Sequence, residues 1–490
     1  MELPRRTDSS GSIRIFSNDE ISRLREQLVQ EQKVGSVEPV IERQDQEAVA
    51  QDDSLSSQET TKFIIIDDKV YDVTEFIHEH PGGYKVLSTH LGKDATDVFH
   101  AMHPASAYEV LANYYAGDLA EPSPTSTPFA HRVRELRDKL DSEGYFQSSK
   151  FFYFYKISSN MVLLFLALTI LWLYGEFTAG VVTSACITGL FWQQCGWLAH
   201  DFGHHQVFQE RWLNDVVIGF LGDFCLGFSL SWWKNKHNTH HAATNIHHED
   251  PDIDTAPILF WSEHASADYF ADLAEMAPKD DPLTVFLNKH VATRQTWYYW
   301  PLLSLARLSW AHASLTYSFT VGSLTKSTLV NVFERTCLLL HWAWYIGAIY
   351  SFVPSLSNQI LYFFLSQAVC GWALAIVFAL NHNGMPIITQ EKAADMDFYE
   401  IQIVTGRNVK GGLLLDWFMG GLNYQIEHHV FPNMPRHHLK KVQPMIQALA
   451  KEYGISYHRC GFWQGTKEVL TTLDYVQKVS KKLVDRAYDY

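Results

Sequence analysis

Two long stretches of this chain contain no lysine or arginine: the residues between Lys156 and Arg211, and those between Arg335 and Lys392. Each holds two apolar segments close to the ~20 residues that a helix needs to cross a bilayer. They fall at roughly 158–177 and 180–199 in the first stretch, and 336–354 and 359–380 in the second. The connections are short, a turn around Glu176 to Gly180 and the run SFVPSLSN at 351–358. Each pair therefore reads as a hairpin whose tip lacks positive charge while its outer ends carry it. Lysine and arginine concentrate in cytoplasmic loops, so both tips are expected in the lumen and everything else in the cytosol. Two more apolar stretches, 213–231 and 298–322, are interrupted by charge or proline and read as interfacial or re-entrant helices.

The 15 Trp, 23 Tyr and 30 Phe fall mostly after residue 150 and suit a wide contact with the lipid–water boundary. A formal charge of −15 argues against a nucleic-acid partner, which requires a basic surface. The six cysteines, Cys186, Cys195, Cys225, Cys337, Cys370 and Cys460, contain no Cys-x-x-Cys pair, and five lie in apolar stretches. They read as free thiols in a reducing compartment, not as disulfides or a zinc site. MELPRRTDSSGS has no apolar core, so no secretory signal is expected and the N-terminal region is placed in the cytosol.

Residues 1–12 read as a disordered tail, and IRIFSNDEISRLREQ (13–27) as a strand and a helix capped by Ser17 or Asn18. Residues 35–61, rich in Gln, Glu, Asp and Ser, read as a disordered insert. FIIIDDKVYDVTEF (63–76) reads as two strands joined by a turn at Asp67-Asp68, with short helices and loops to about Asp118 and a linker at PSPTSTP (122–128). His80-Pro81-Gly82-Gly83 follows the strands: a histidine can ligate haem iron, and glycines let the backbone pass close to a porphyrin. Together with GKDATDVFHAMHP (92–104) and LANYYAGDL (111–119), these segments resemble the cytochrome b5 family across 13–119. The resemblance implies a small α+β domain holding haem b between His80 and His103, with His100 as the competitor for the second position. Two imidazoles leave no open position on the iron, so such a module relays electrons. The insert at 35–61 departs from the family pattern.

Three histidine clusters remain, all on the side expected to be cytosolic. They are His200-Asp201-Phe202-Gly203-His204-His205, His237-Asn238-Thr239-His240-His241, and Gln425-Ile426-Glu427-His428-His429. With 24 histidines in 490 residues, a specified triple recurs by chance roughly once in 8,000 positions, so three such clusters are a signal. Positions i, i+3 and i+4 share one helix face, and adjacent histidines diverge enough to reach two metals side by side. Imidazole suits iron, zinc or copper alike. A haem electron donor selects iron, since zinc takes no electrons. His382 in Leu-Asn-His-Asn-Gly lies at the right depth for a further ligand, and His205 is a weaker candidate outside the His-x-x-x-His spacing. His247 and His248 read as supporting or solvated groups, and His437 and His438 as interfacial. Asp201, Glu427, Asp252 and Asp254 are candidates to orient ligating imidazoles through the second ring nitrogen.

From about 150 to 465 the chain resembles the front-end acyl desaturases, membrane enzymes fused to cytochrome b5. The segments that carry this are WQQCGWLAHDFGHHQVFQ (192–209), WWKNKHNTHHAATNIHHEDPDID (232–254), ALNHNGMP (379–386) and GGLNYQIEHHVFPNMPRHHL (420–439). Gln425 is diagnostic, because front-end members carry glutamine where other membrane desaturases have the first histidine of the third box. Within that group these stretches look closest to fungal and oomycete Δ6 fatty-acid desaturases. The implied molecule is multi-domain: the haem domain at 13–119, a linker at 120–150, an all-α integral membrane desaturase domain at 151–465 and a C-terminal cytosolic helix or tail at 466–490. That membrane domain has four transmembrane helices in two hairpins, interfacial helices and a cytosolic histidine-box cap. The resemblance further implies a di-iron centre held by His200, His204, His237, His240, His241, His428 and His429, with Gln425 at the site. It implies O2 as co-substrate, NADH-cytochrome b5 reductase as electron source, the endoplasmic reticulum membrane as location, and cis Δ6 desaturation of linoleate or α-linolenate. The rival readings are a Δ8 sphingolipid or Δ5 acyl desaturase, a di-iron hydroxylase, and a membrane haem protein that only relays electrons.

Overall fold

The computed structural model describes residues 13–35, 60–123, 127–276 and 281–488. The expected tail at 1–12 and most of the insert at 35–61 lie outside these residues. Strands β1 (Ile15–Phe16), β2 (Phe63–Ile66), β3 (Lys69–Asp72) and β4 (Tyr115–Leu119) form one sheet in the order β1-β4-β3-β2. The turn joining β2 to β3 is Asp67-Asp68, with φ of 51° and 58°. A two-residue hairpin turn of type I′ has both central residues left-handed, and Asp tolerates that conformation. Alternate residues of the hairpin enter two separate cores. Ile64, Ile66, Tyr71 and Val73 pack with Val98, Phe99 and Leu111, whereas Phe63, Ile65 and Val70 pack with Phe16 and Ile21. The latter pair flanks the start of α1 (Asn18–Gly35), which Ser17 caps by accepting the Glu20 N–H at 3.3 Å. Short helices α2 (Tyr84–Ser88), α3 (Thr96–Met102) and α4 (Ala107–Leu111) complete the module.

The segment read as a linker contains a 15-residue helix, α5 (Pro128–Ser142). Thr127 accepts the Ala130 N–H and proline occupies the first turn, a strong helix start. Phe129, Ala130, Val133 and Leu140 lie on one face and are buried. Arg134 holds both carboxylate oxygens of Asp97 at 2.6 and 2.9 Å, and the Thr127 hydroxyl donates to Asp397 at 2.7 Å. Helix α5 is thus packed against both parts.

Four long helices coincide with the four apolar segments: α6 (Lys150–Tyr174), α7 (Thr178–Gly203), α12 (Thr328–Phe352) and α13 (Leu356–His382). By length and hydropathy, two of them, α6 and α13, qualify as membrane spans. The other two are 26 and 25 residues long but carry polar side chains inward: Ser184, Thr188, Gln193 and Gln194 on α7, and Glu334 and His341 on α12. These groups are buried among helices, which lowers the helix's mean hydropathy without presenting polarity outward. Phe151, Phe165, Trp172, Leu329 and Tyr350 are among the large apolar side chains left exposed. The two hairpin tips meet, with Thr178 Oγ1 3.2 Å from Asn358 Oδ1, so the histidine-bearing ends converge at the opposite end.

The stretch at 213–231 forms α8 (Arg211–Ile218), continues through π-type turns at Gly219–Leu226, and bends by 108° into α9 (Leu230–Ala242). A bend of this kind belongs to a broken span or to a re-entrant loop. The stretch at 298–322 is helical, as expected, in one continuous helix, α11 (Gln295–Thr320), with Pro301 inside it. Pro301 is the seventh residue of the helix and removes one bond of its ladder, the one an N–H there would make to the Trp297 carbonyl. The helix α10 (Glu263–Met276) precedes α11, and beyond α13 come α14 (Phe398–Val404), β5 (Arg407–Val409), α15 (Gln425–Val430), α16 (Arg436–Glu452), β6 (His458–Cys460) and α17 (Phe462–Tyr488).

Candidate metal centre

Eight histidines from four helix segments form two adjoining clusters. His200 and His204 from the end of α7, His237 and His241 from α9 and His428 from α15 place one ring nitrogen each within 4.8 Å of one another. His240 from α9, His382 from the end of α13 and His429 from α15 do the same. All eight side chains are buried. Adjacent histidines diverge as the helix requires: His240 and His241 serve different clusters, and so do His428 and His429. The clusters touch through His241 and His429, whose rings stack at 4.0 Å.

Several ring nitrogens are held from outside the clusters. His240 Nδ1 lies 2.9 and 3.0 Å from the two oxygens of Asp250, with Asp252 farther at 3.7 Å. His382 Nδ1 meets the Thr405 carbonyl at 3.2 Å, and His429 Nδ1 meets Gln402 Oε1 at 2.8 Å. An imidazole fixed this way on one nitrogen presents the other as a ligand. In the five-histidine cluster, His200 Nε2, His204 Nε2, His241 Nδ1 and His428 Nε2 are buried without a hydrogen-bond partner. Buried polar atoms normally find one, so these orphans, in a cluster whose five residues each offer a ligand atom within 4.8 Å of the others, fit a metal ion. In the second cluster His382 Nε2 is 3.1 Å from His429 Nε2 and 2.9 Å from the Gln425 amide nitrogen. Gln425 Oε1 accepts from Asn381 at 2.9 Å. Oxygen and nitrogen of an amide interchange by a flip, so the same side chain can turn its oxygen towards this cluster.

Two arginines, Arg407 buried and Arg436 partly buried, lock the box-bearing ends together. Arg436, at the start of α16, pairs with Asp201 and donates to the Trp197 carbonyl at 3.1 Å, tying the end of α7 to the third box. Arg407 donates to the Leu380 and Asn383 carbonyls at 2.7 and 3.1 Å, capping the end of α13 that carries His382. Trp233 stacks on His237 at 4.5 Å and fills the space beside Gly203, where a Cβ would lie 2.1 Å from its ring.

Other sequence candidates are placed elsewhere. His205 is in neither cluster: α7 ends at Gly203, and with φ of 54° the His205 backbone turns its ring to within 3.5 Å of Lys234 Nζ. His247 and His248 share Asp268 at 2.7 and 3.2 Å. Glu427 orients no imidazole; it accepts from Tyr457 at 2.6 Å and from Asn408 at 2.7 Å, and burial pushes its carboxyl up to about 7. Asp201 is 3.6 Å from His200 Nδ1, and Asp254 is exposed. Asp250, Gln402, Thr405, Arg407 and Arg436 were not singled out from the sequence. Asp250 stands in the second box's own segment, ten residues after His240, and could have been found there; Gln402 belongs to no motif.

In the N-terminal module the His80 and His103 rings face each other with centroids 5.8 Å apart. Their Nδ1 atoms meet the Gly83 and Phe99 carbonyls at 3.1 and 3.2 Å, which turns both Nε2 atoms away from those bonds. Burial lowers the pKa of both, His103 to about 3, so each is neutral and can ligate. His100 is turned aside onto Asp67 at 2.9 Å and Tyr108 at 3.1 Å. The donor set suits a haem iron.

A haem-type module packed beside a buried bipartite histidine centre, on a bundle of long apolar helices, defines a membrane-type oxidoreductase that carries its own electron donor. The sequence matches the fatty acid desaturase family over residues 176–461, and a cytochrome b5-like haem/steroid-binding domain over residues 45–120. It is 37% identical to an acyl-lipid (9-3)-desaturase of Physcomitrium patens, covering 85% of this chain and 76% of that protein. Two Caenorhabditis elegans proteins are each 32% identical: a Delta(5) fatty acid desaturase (88% and 99% covered) and a Delta(6)-fatty-acid desaturase (78% and 88%). The chain belongs to the fatty acid desaturase family, in its front-end branch with a fused cytochrome b5 domain.

Proposed function

We propose that this protein is a Δ6 acyl desaturase of the endoplasmic reticulum membrane, converting linoleate to γ-linolenate and α-linolenate to stearidonate. The observation that carries desaturation is the pair of buried histidine clusters with Gln425 at the second. In this reading His200, His204, His237, His241 and His428 hold one iron, and His240, His382, His429 and Gln425 hold the other. An iron pair there supplies O2 activation, with the balance CH2–CH2 + O2 + 2 e⁻ + 2 H⁺ → CH=CH + 2 H2O. The chain's own part is positional: Asp250, Gln402 and Thr405 set the imidazole orientations, and Arg436 and Arg407 fix the helix ends. His80 and His103 hold haem b, which takes electrons from NADH-cytochrome b5 reductase.

The reading includes four membrane spans, with both hairpin tips lumenal and the histidines cytosolic. The acyl chain enters from the membrane, and its seating in an apolar tunnel selects the carbon attacked. Position 6 rests on the four box-bearing segments and their likeness to Δ6 enzymes. Equal identity to the nematode Δ5 and Δ6 enzymes makes Δ5 the competing outcome, with Δ8 and hydroxylation behind it. Yeast expressing the chain and fed linoleate should accumulate γ-linolenate, identified by double-bond position in the mass spectrum. A new double bond at another carbon, or a hydroxylated product, refutes the assignment.

A further inference from the structure

Apart from the eight clustered histidines, a separate set of metal-ligating side chains converges at the cytosol-facing edge of the second-box segment. His247 Nε2 and His248 Nε2 meet the same oxygen, Asp268 Oδ2, at 2.7 and 3.2 Å. One ligand atom from each of the three residues lies within 4.8 Å of the others. We propose that His247, His248 and Asp268 form a peripheral site for a divalent cation of the zinc type, which clamps the loop after α9 to α10.

Neighbouring side chains normally diverge, by about 100° on a helix and to opposite faces on a strand. His247 and His248 do not diverge, because His248 takes a left-handed backbone with φ of +67°, uncommon for a residue other than glycine. Their rings lie side by side, with centroids 3.9 Å apart. The loop that carries them is held in place: the His247 N–H donates to the Ile388 carbonyl at 2.9 Å, and Asn245 donates to the His382 and Pro386 carbonyls, both at 3.2 Å. Opposite the loop, α10 presents His264 and Asp268 four residues apart, on one face. That helix is fixed in turn on α17 by Ser266 against Ser480 at 2.8 Å, and by Glu263 accepting from Tyr475 at 3.0 Å. Both walls of the site are therefore set before any ion arrives.

Two imidazoles and a carboxylate form the donor set of zinc sites that keep one coordination position open. With metal–ligand bonds of about 2.0–2.2 Å, tetrahedral ligand atoms stand about 3.3–3.6 Å apart, so an ion would spread the three side chains by less than an ångström. The open position faces water, since the side chains of His248 and Asp268 are 62% and 47% exposed. His264 borders it, its ring centroid 6.0 Å from that of His247. This exposure suits an exchangeable ion, in contrast to the eight buried histidines. Asp250, which holds His240, lies three residues beyond His247 on the same loop. A cation here would thus stiffen the segment that orients a ligand of the second cluster.

The test incubates the full-length protein, with its haem and non-haem iron in place, with zinc sulfate. After gel filtration, metals are counted by plasma mass spectrometry and the zinc surroundings are read by X-ray absorption at the zinc K edge. One zinc per haem is expected, with non-haem iron undiminished and the outer-shell scattering of imidazole in the zinc spectrum. His248→Ala and Asp268→Ala, neither at a buried side chain, should each lose that zinc while haem and non-haem iron stay as in the parent protein. His290→Ala, at an exposed histidine elsewhere, should retain it. A parent protein that keeps no zinc, zinc gained only as iron is lost, or zinc that persists in both variants overturns the proposal. None of these results bears on the desaturase reading, which does not involve this site.

Discussion

Asp250 offers the sharpest probe of the second cluster, because its carboxylate is fully committed. Its two oxygens meet His240 Nδ1 at 2.9 and 3.0 Å, the Asn245 N–H at 2.7 Å and the Asp252 N–H at 2.8 Å. Asp250→Asn keeps the shape but turns an acceptor into a donor, so one buried N–H must face an NH2 group. That loss of a partner costs about 1–3 kcal/mol of local stability. The weakened hold on His240 should lower metal affinity at its cluster about 10- to 100-fold, or about 1.4–2.8 kcal/mol. The five-histidine cluster has no contact with Asp250 and should keep its metal. Non-haem iron per haem, measured by plasma mass spectrometry after dialysis against graded chelator, should therefore fall from two towards one at a chelator level the parent protein withstands. A variant that retains two irons across the same series would refute the claim that Asp250 sets the His240 ligand.

His80→Ala and His103→Ala should each abolish the haem absorbance while leaving non-haem iron in place, and His100→Ala should retain it; haem loss in His100→Ala would reverse the ligand choice. His205→Ala and His247→Ala should keep both non-haem irons, since neither ring reaches a cluster; loss of one iron in either would redraw the ligand set. Stripping non-haem iron should destabilise the helical domain, because the buried ring nitrogens that have no hydrogen-bond partner, His200 Nε2, His204 Nε2 and His428 Nε2 among them, would lose the metal proposed to satisfy them. At about 1–3 kcal/mol each, the melting temperature followed by tryptophan fluorescence should drop by several degrees while the haem band persists. An apo protein melting with the holo protein would count against metal at that cluster.

What the sequence made legible was local. The i, i+3, i+4 spacing within each box predicts one-sided histidines and divergent neighbours, and both are found. The Asp67-Asp68 hairpin and the Ser17 cap also follow from neighbouring residues, whereas His103 came from the family resemblance. What stayed hidden was non-local. Gln402 reaches His429 from a helix with no motif, and Arg436 reaches back to Asp201 across the whole helical domain. His205 misled for a local reason of its own: the pattern continues in letters, but the helix has already ended at Gly203. The four apolar segments all became long helices, but the inward polar groups of α7 and α12 leave only α6 and α13 apolar enough to qualify as spans.

Those inward polar groups and the imidazole clusters are two consequences of one constraint. A helix that must deliver histidines to a buried centre ends within that centre, so its last turn cannot be satisfied by water. The structure answers with side chains that bridge helices. Arg407 takes the carbonyls at the end of α13, Arg436 takes one near the end of α7, and Gln193 and Gln194 of α7 donate to the Phe418 and Trp417 carbonyls at 2.9 and 3.1 Å. Each bridge fixes the height of one helix end against another. With the hairpin tips in mutual contact at the far end, the boxes have little freedom to slide along the helix axes. Two adjoining clusters of ring nitrogens, drawn from elements far apart in sequence, need that loss of freedom, because an error of one residue along a helix turns a ligand by about 100° and removes it from its metal.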